Sequence, residues 1–255
     1  MKQFVLTPAA GKRLIGKAMS VHPEIRQVLK KGTLVIVAGT TNSYIAEEVL
    51  TNIGGTGDFA RSRFFRGITL PPSYTISNTG RLPDESKFPG DVVIKDGIWL
   101  KGKTIFDVLS DLKEGDIILK GANALDLDRK RAAVLIGQPQ GGTSIAAIQA
   151  MIGKRVRLIV PVGLEKRISG DIDTLAARLN APGVTGHRLL PIPGEVFTEL
   201  DAISLLTGMQ AELIAGGGIC GAEGSVWLAI NGTEENELAA EKILHQLANE
   251  PMFSL

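Results

Sequence analysis

Short, continuous apolar runs alternate with segments of helical spacing along most of the chain. GTLVIVAG (32–39) is rich in valine and isoleucine and bounded by glycines, which predicts a buried strand. SYIAEEVLTNI (43–53) follows it with Ile45, Val49 and Ile53 at four-residue intervals, the repeat of one helix face. DIILKGA, AAVLIGQ and VRLIVPVG are again continuous rather than alternating. Such runs predict strands covered on both sides, hence a mostly parallel sheet sandwiched by helices, an α/β fold of Rossmann-like kind. TIFDVLSDL (104–112), TSIAAIQAMI (143–152) and DIDTLAARLN (171–180) are the helices expected between them.

Two stretches break this rhythm. Residues 61–90 carry four prolines and little periodicity, the pattern of a lid or binding loop. From about residue 186, HRLLPI, TELDAISLLTG, AELIAGGG, SVWLAING and ENELAAEKILHQLA read strand–helix–strand–strand–helix. That order predicts a small C-terminal ferredoxin-like α+β subdomain. The expected division is therefore an α/β core over 1–185, with the irregular loop at 61–90 and a hairpin at 91–105, and a subdomain over 186–255.

Composition narrows the function classes. Hydrophobic residues make up 44% and charged residues 22%, ample for a buried core. Lys plus Arg total 28 against 27 Asp plus Glu, a net charge of +1, so no sequence-independent nucleic-acid binding is expected. The basic clusters RSRFFRG (61–67) and DRKRAA (128–133) read as solvated faces. A single cysteine, Cys220, excludes an internal disulfide and suits a cytoplasmic setting. No apolar window is long enough to span a membrane, and Pro8, Gly11, Lys12 and Arg13 interrupt any signal-peptide pattern. His22, His187 and His245 are too dispersed to suggest a metal site, and no cofactor is expected.

Two glycine motifs match nucleotide patterns literally. GIWLKGKT (97–104) fits GxxxxGK[ST], but VVIKDGIWL spells a hairpin around Asp96-Gly97, a preferred type I′ turn. No strand supplies the aspartate that would help to hold magnesium. GGGICG (216–221) fits GxGxxG, yet a strand-like run follows it where a dinucleotide site needs a helix. It reads as a turn between strands.

Better candidates lie where predicted strands give way to helices. Gly39, Thr40, Thr41, Asn42 and Ser43 join a strand to a helix whose free N–H groups favour an anion. Gly141, Gly142, Thr143 and Ser144 repeat that design, and DIILKGANALD ends a third strand with Lys120 and Asn123. In a parallel sheet such loops gather at the carboxyl edge of the strands. Arg61, Arg63, Arg66 and Arg81 of the irregular loop could reach the same ligand. Glu223 in the GAEGS turn is a further carboxylate, and Cys220 sits in a glycine-rich turn without a neighbouring histidine.

The order GTTNS–helix, KGANALD, a Gly-Gly turn and VRLIVPVGLEKRI resembles ribose-5-phosphate isomerase A and its superfamily of sugar-phosphate deaminases and CoA transferases. The similarity covers roughly residues 32–215. It implies a phosphate-binding turn at 39–43, and it lends Glu223 a likeness to the glutamate that accepts CoA in the transferases. The isomerase's DGADE acids fall instead on Lys120, Asn123 and Ala124, and the lysine of its KGGG turn near Gln140. No base for moving a proton between sugar carbons is visible.

The expected function is the binding of a small phosphorylated or anionic metabolite, a sugar phosphate, nucleotide or CoA ester, with Lys120, Asn123 and Glu223 as catalytic candidates. The alternatives are a non-catalytic sensor or assembly protein on the same scaffold and a nucleotide hydrolase using Gly97–Thr104. A homodimer or higher homo-oligomer is the default assembly.

Overall fold

The structure is a computed structural model that describes residues 1–55, 57–66, 69–75 and 88–254. The chain opens with β1 (Lys2–Leu6), α1 (Pro8–Val21) and α2 (Pro23–Lys30), then β2 (Thr33–Ile36) and α3 (Thr40–Asn52). The hairpin β3 (Val92–Lys95) and β4 (Ile98–Trp99) leads to α4 (Ile105–Val108), β5 (Ile117–Leu119), β6 (Ala124–Asp126) and β7 (Arg131–Ile136). Next come α5 (Gly142–Lys154), β8 (Arg157–Pro161), α6 (Ile172–Leu179), β9 (Arg188–Ile192) and β10 (Glu195–Phe197). α7 (Glu199–Thr207), β11 (Gln210–Gly216), β12 (Val226–Asn231) and α8 (Glu234–Leu247) complete it.

The largest sheet has six strands in the order β10-β8-β5-β2-β3-β4. β10, β8, β5 and β2 are parallel, while β3 runs antiparallel to β2 and β4 antiparallel to β3 at one edge. β2 and β5 are buried throughout and β8 nearly so, as their continuous apolar runs require. Helices flank the sheet: α1 packs on α3 and α7, and α4 on α5. Gly16 lets α1 approach α3, because a Cβ there would lie 3.0 Å from the Tyr44 carbonyl oxygen. The protein is thus α/β, with a mixed sheet of mostly parallel strands.

Several expectations change. AAVLIGQ is a strand, β7, but it lies in a separate antiparallel sheet of order β6-β7-β9. Its apolar run is continuous because a small cluster of Ala124, Ala133, Ile172, Ala176 and Leu189 covers one side and the main core the other. Burial on both faces fixes the pattern, and it does not fix the direction of pairing. The helix expected over 104–112 is a single turn at Ile105–Val108, opened by a Thr104–Asp107 capping box.

Strand pairing also crosses the expected division at residue 186. β9 joins β7, β10 joins β8, and β11 and β12 pair with β1 from the start of the chain. The strand–helix–strand–strand–helix order is present with β10 added after β9, but β9 enters one sheet and β11 and β12 another, so they do not form one ferredoxin-like unit. α1 and α2 were not foreseen, although Thr7 caps α1 by accepting the Ala10 N–H and Pro8 stands in its first turn.

Both glycine decoys are turns. Asp96 and Gly97 have φ of 48° and 79°, as a type I′ hairpin requires, and GIWLKGKT spans β4 and the bend after it. GGGICG connects β11 to β12. The DRKRAA cluster is ion-paired at the surface, with Arg129 on Asp126, Lys130 on Asp201 and Arg131 on Asp173. Much of the loop expected at 61–90, Arg81 included, lies outside the described residues. Among the described residues no helix is long and apolar enough to cross a membrane.

Candidate functional site

The ends of β2, β5 and β8 are in register, with Ile36 opposite Leu119 and Leu119 opposite Ile159. The segments leaving them therefore open on one edge, and a cleft lies there in two chambers. The larger, about 660 Å³, is bordered by Lys12, Thr40, Arg66, Asn123 and Lys166, with Phe65, Leu70, Pro71, Tyr74 and Phe253 forming an apolar wall. The smaller, about 290 Å³, is bordered by Lys120, Asn123, Arg66, Phe106 and all of Gly141–Ser144. Arg66, Asn123 and Leu135 border both.

The second glycine–hydroxyl turn, Lys120 and Asn123 thus meet in one place. Gly141 is the N-cap of α5 and has no side chain to cap it; Gln138 Oε1 accepts the Gly142 N–H at 3.2 Å, and the remaining N–H groups of the first turn belong to residues that border the chamber. Asn123 spends its Oδ1 on the Leu135 N–H at 3.0 Å. From the first turn only Thr40 reaches the cleft. Thr41, Asn42 and Ser43 are buried, and Gly39 caps α3 without a side chain. Asn42 acts as a strut: its Nδ2 donates to Val37 O at 2.7 Å and Leu119 O at 2.9 Å, joining the ends of β2 and β5. Glu223 lies in the exposed β11–β12 turn, accepting the Gly221 N–H, and does not border the cleft. Cys220 is exposed in that same turn. Among the described residues no group of three or more His, Cys, Asp or Glu could hold a metal ion.

The charged residues of the floor were not anticipated. Lys12, on α1, binds Glu165 at 2.8 Å. Lys166 donates to the Ala122 carbonyl at 2.9 Å. Beneath them Glu199, the first residue of α7, is buried and accepts the Leu164 N–H at 2.9 Å. Burial, reinforced by the Glu165 charge, pushes the Glu199 carboxyl up to about 8. Burial works the same way on Glu165, but Lys12 and Lys166 outweigh it and hold that carboxyl below its usual range. The floor therefore carries one protonated and one ionised glutamate at neutral pH. Burial also lowers two amines of the cleft, those of Lys166 and Lys120. Lys166 falls below the ordinary lysine value, and Lys120 falls to about 8, helped by Lys166 and Arg66 and opposed by Asp91. The available signal was local: a lysine set among Ala9, Ala10 and Leu14, and a charged pair straight after the GL that follows β8.

Glu199 makes stability depend on pH. Its carboxyl holds a proton up to about 8 when folded but only to 4.5 when unfolded, so its stabilising contribution is full below 4.5 and lost as pH rises through 8. Glu199→Gln keeps an acceptor for Leu164 and cannot ionise. The melting temperature of the variant relative to the parent is expected to rise steadily from about pH 5 to about pH 9. Parallel melting curves across that range would remove this account of Glu199.

No family model matches the chain, and no curated protein or solved structure matches it.

Proposed function

We propose that the cleft binds a small phosphorylated or otherwise anionic metabolite. The observation that carries this reading is the state of its cations. Four of them, Lys12, Arg66, Lys120 and Lys166, border one cleft, and among the described residues Lys120 and Lys166 have no carboxylate within ion-pair distance. Buried amines that lack a direct ion pair are unfavourable, and an anionic ligand relieves both at once. The start of α5, where only the Gly142 N–H meets a side-chain oxygen, that of Gln138, adds N–H donors and the positive end of its dipole.

The scaffold supports the same reading. In a Rossmann-like sheet, ligands bind beyond the carboxyl ends of parallel strands, where Thr40, Lys120 and Lys166 stand. The wall of Phe65, Leu70, Tyr74 and Phe253 favours a ligand with an apolar or aromatic part, a nucleotide or CoA ester, over a bare sugar phosphate.

Thermal unfolding with inorganic phosphate, ribose 5-phosphate, adenosine monophosphate and coenzyme A tests the proposal. A bound ligand at about 100 times its dissociation constant adds about 2.7 kcal/mol, which raises the melting temperature clearly. Lys166→Met is expected to remove most of that rise while the unliganded protein melts no lower than the parent. No rise with any of the four anions, in parent and variant alike, would reject an anion site.

A further inference from the structure

We propose that Lys120 is a nucleophile that condenses with an aldehyde or ketone group on the anionic ligand of the cleft, forming an imine at its Nζ. The inference rests on the anion-binding reading and adds the chemical class of the ligand, a carbonyl-bearing anion.

The geometry favours this lysine over its neighbours. Lys120 is the first residue beyond β5, and its N–H is fixed to the Ile159 carbonyl at 3.0 Å, so its stem starts from a rigid strand end. Its ammonium has only one hydrogen-bond partner among the described residues, the carbonyl of the adjacent Gly121, at a long 3.4 Å. Lys12 is held by Glu165 and the Pro8 carbonyl. Lys166 is held by the Ala122 carbonyl, beside the Glu165 carboxylate that favours its charged form. A nucleophilic amine needs a free lone pair and a reachable electrophile. Lys120 alone in this cleft combines a loosely held nitrogen with an open chamber of about 290 Å³.

The surroundings suit the reaction. Thr143, Ser144 and the start of α5 can hold the anionic end of a ligand whose carbonyl lies against Lys120, and Asn123 stands beside it to bond the oxygen. The charges facing Lys120 are Asp91, Lys166 and Arg66; together with burial, the two cations lower its affinity for a proton. At about pH 7.5 an amine that titrates near 8 is neutral in roughly a quarter of molecules, about 200 times the fraction of one near 10.5. The neutral Nζ adds its electron pair to the carbonyl carbon, and the oxygen takes a proton to give a carbinolamine. Loss of that oxygen as water gives the imine, protonated by one proton from solvent. No oxidant or reductant takes part.

The test uses pyridoxal 5′-phosphate, an aldehyde that carries a phosphate, on the full chain. Borohydride reduction fixes any imine, and peptide mass spectrometry locates it. Label is expected on Lys120 first, roughly tenfold or more above the exposed lysines Lys101 and Lys103 at equal time, with excess inorganic phosphate suppressing it. The pH profile of labelling should turn near 8 rather than above 10. Lys120→Arg should lose the label, whereas Lys101→Arg should leave it unchanged. Label centred on Lys166 or spread over surface lysines overturns the proposal. If phosphate still raises the melting temperature in that case, the anion site stands without the nucleophile. If phosphate neither protects nor stabilises, both readings fail.

Discussion

Asp91→Ala is expected to cost about 3–5 kcal/mol, the range for breaking a buried charged network. The carboxylate is wholly buried. Its Oδ1 accepts the Ala38 N–H at 2.9 Å and its Oδ2 the Ile105 N–H at 2.8 Å, and Arg66 lies 3.5 Å from Oδ1. One side chain thus ties the end of β2, the start of α4 and the loop that supplies Arg66. Alanine strands two buried N–H groups and takes a counter-charge from the arginine that borders both chambers. Asparagine is expected to recover only part of the loss, because its oxygen serves one N–H while its amide group meets the other donor to donor. Thermal unfolding at pH 7 should show the alanine variant lower by about 10 °C, at the 2–4 °C per kcal/mol of a chain this size. Phosphate affinity should fall with it. A melting temperature within a degree or two of the parent would show that water replaces the carboxylate without loss.

Arg13→Met is the second large effect, about 3 kcal/mol. Arg13 grips Glu250 with two parallel bonds of 3.0 Å and also binds Glu47 and, at 2.8 Å, Glu48. Burial opposes its charge, but the Glu250 and Glu47 carboxylates outweigh that and push the guanidinium above its ordinary value. Arg61 shares Glu250 at 3.0 Å, and both arginines stack on the Tyr44 ring. Methionine leaves Glu47 and Glu250 to Arg61, and Glu48 to Lys17 at 4.0 Å. The segment after α8 is then expected to come away, parting the edge-to-face contact of Phe253 with Phe65 that closes the apolar wall. Hydrogen exchange read over residues 248–254 should rise far more than in α3. Equal change in both would mean that Arg13 supports the whole α1–α3 layer rather than the tail.

Local pattern carried the strands of the main sheet and the two glycine–hydroxyl turns, because burial and backbone freedom leave direct marks on residue type. β2, β5 and β8 are apolar since both faces are covered, and Gly141 is glycine where φ is 79°. Partnership leaves no such mark. β7 looks like its parallel neighbours yet pairs antiparallel with β9, and nothing near residue 4 announces a partner near residue 228. Asn42 shows the same limit inside the site. A ligand-binding asparagine and one that bridges two strand ends have identical neighbours in sequence, and only the approach of Val37 and Leu119 separates them. Lys12, Glu165 and Glu199 come from three distant segments, so their joint electrostatics exists only once the fold brings them together.

The pairing of β1 with β12 also sets a clock. During synthesis at about 5–20 residues per second, β1 waits roughly 10–45 seconds before residues 226–231 are made. For that interval Phe4 and Leu6 have no strand beside them, while β2, β5 and β8 can already assemble. The three-stranded sheet is therefore expected to close last, on a molecule whose cleft edge is already in place.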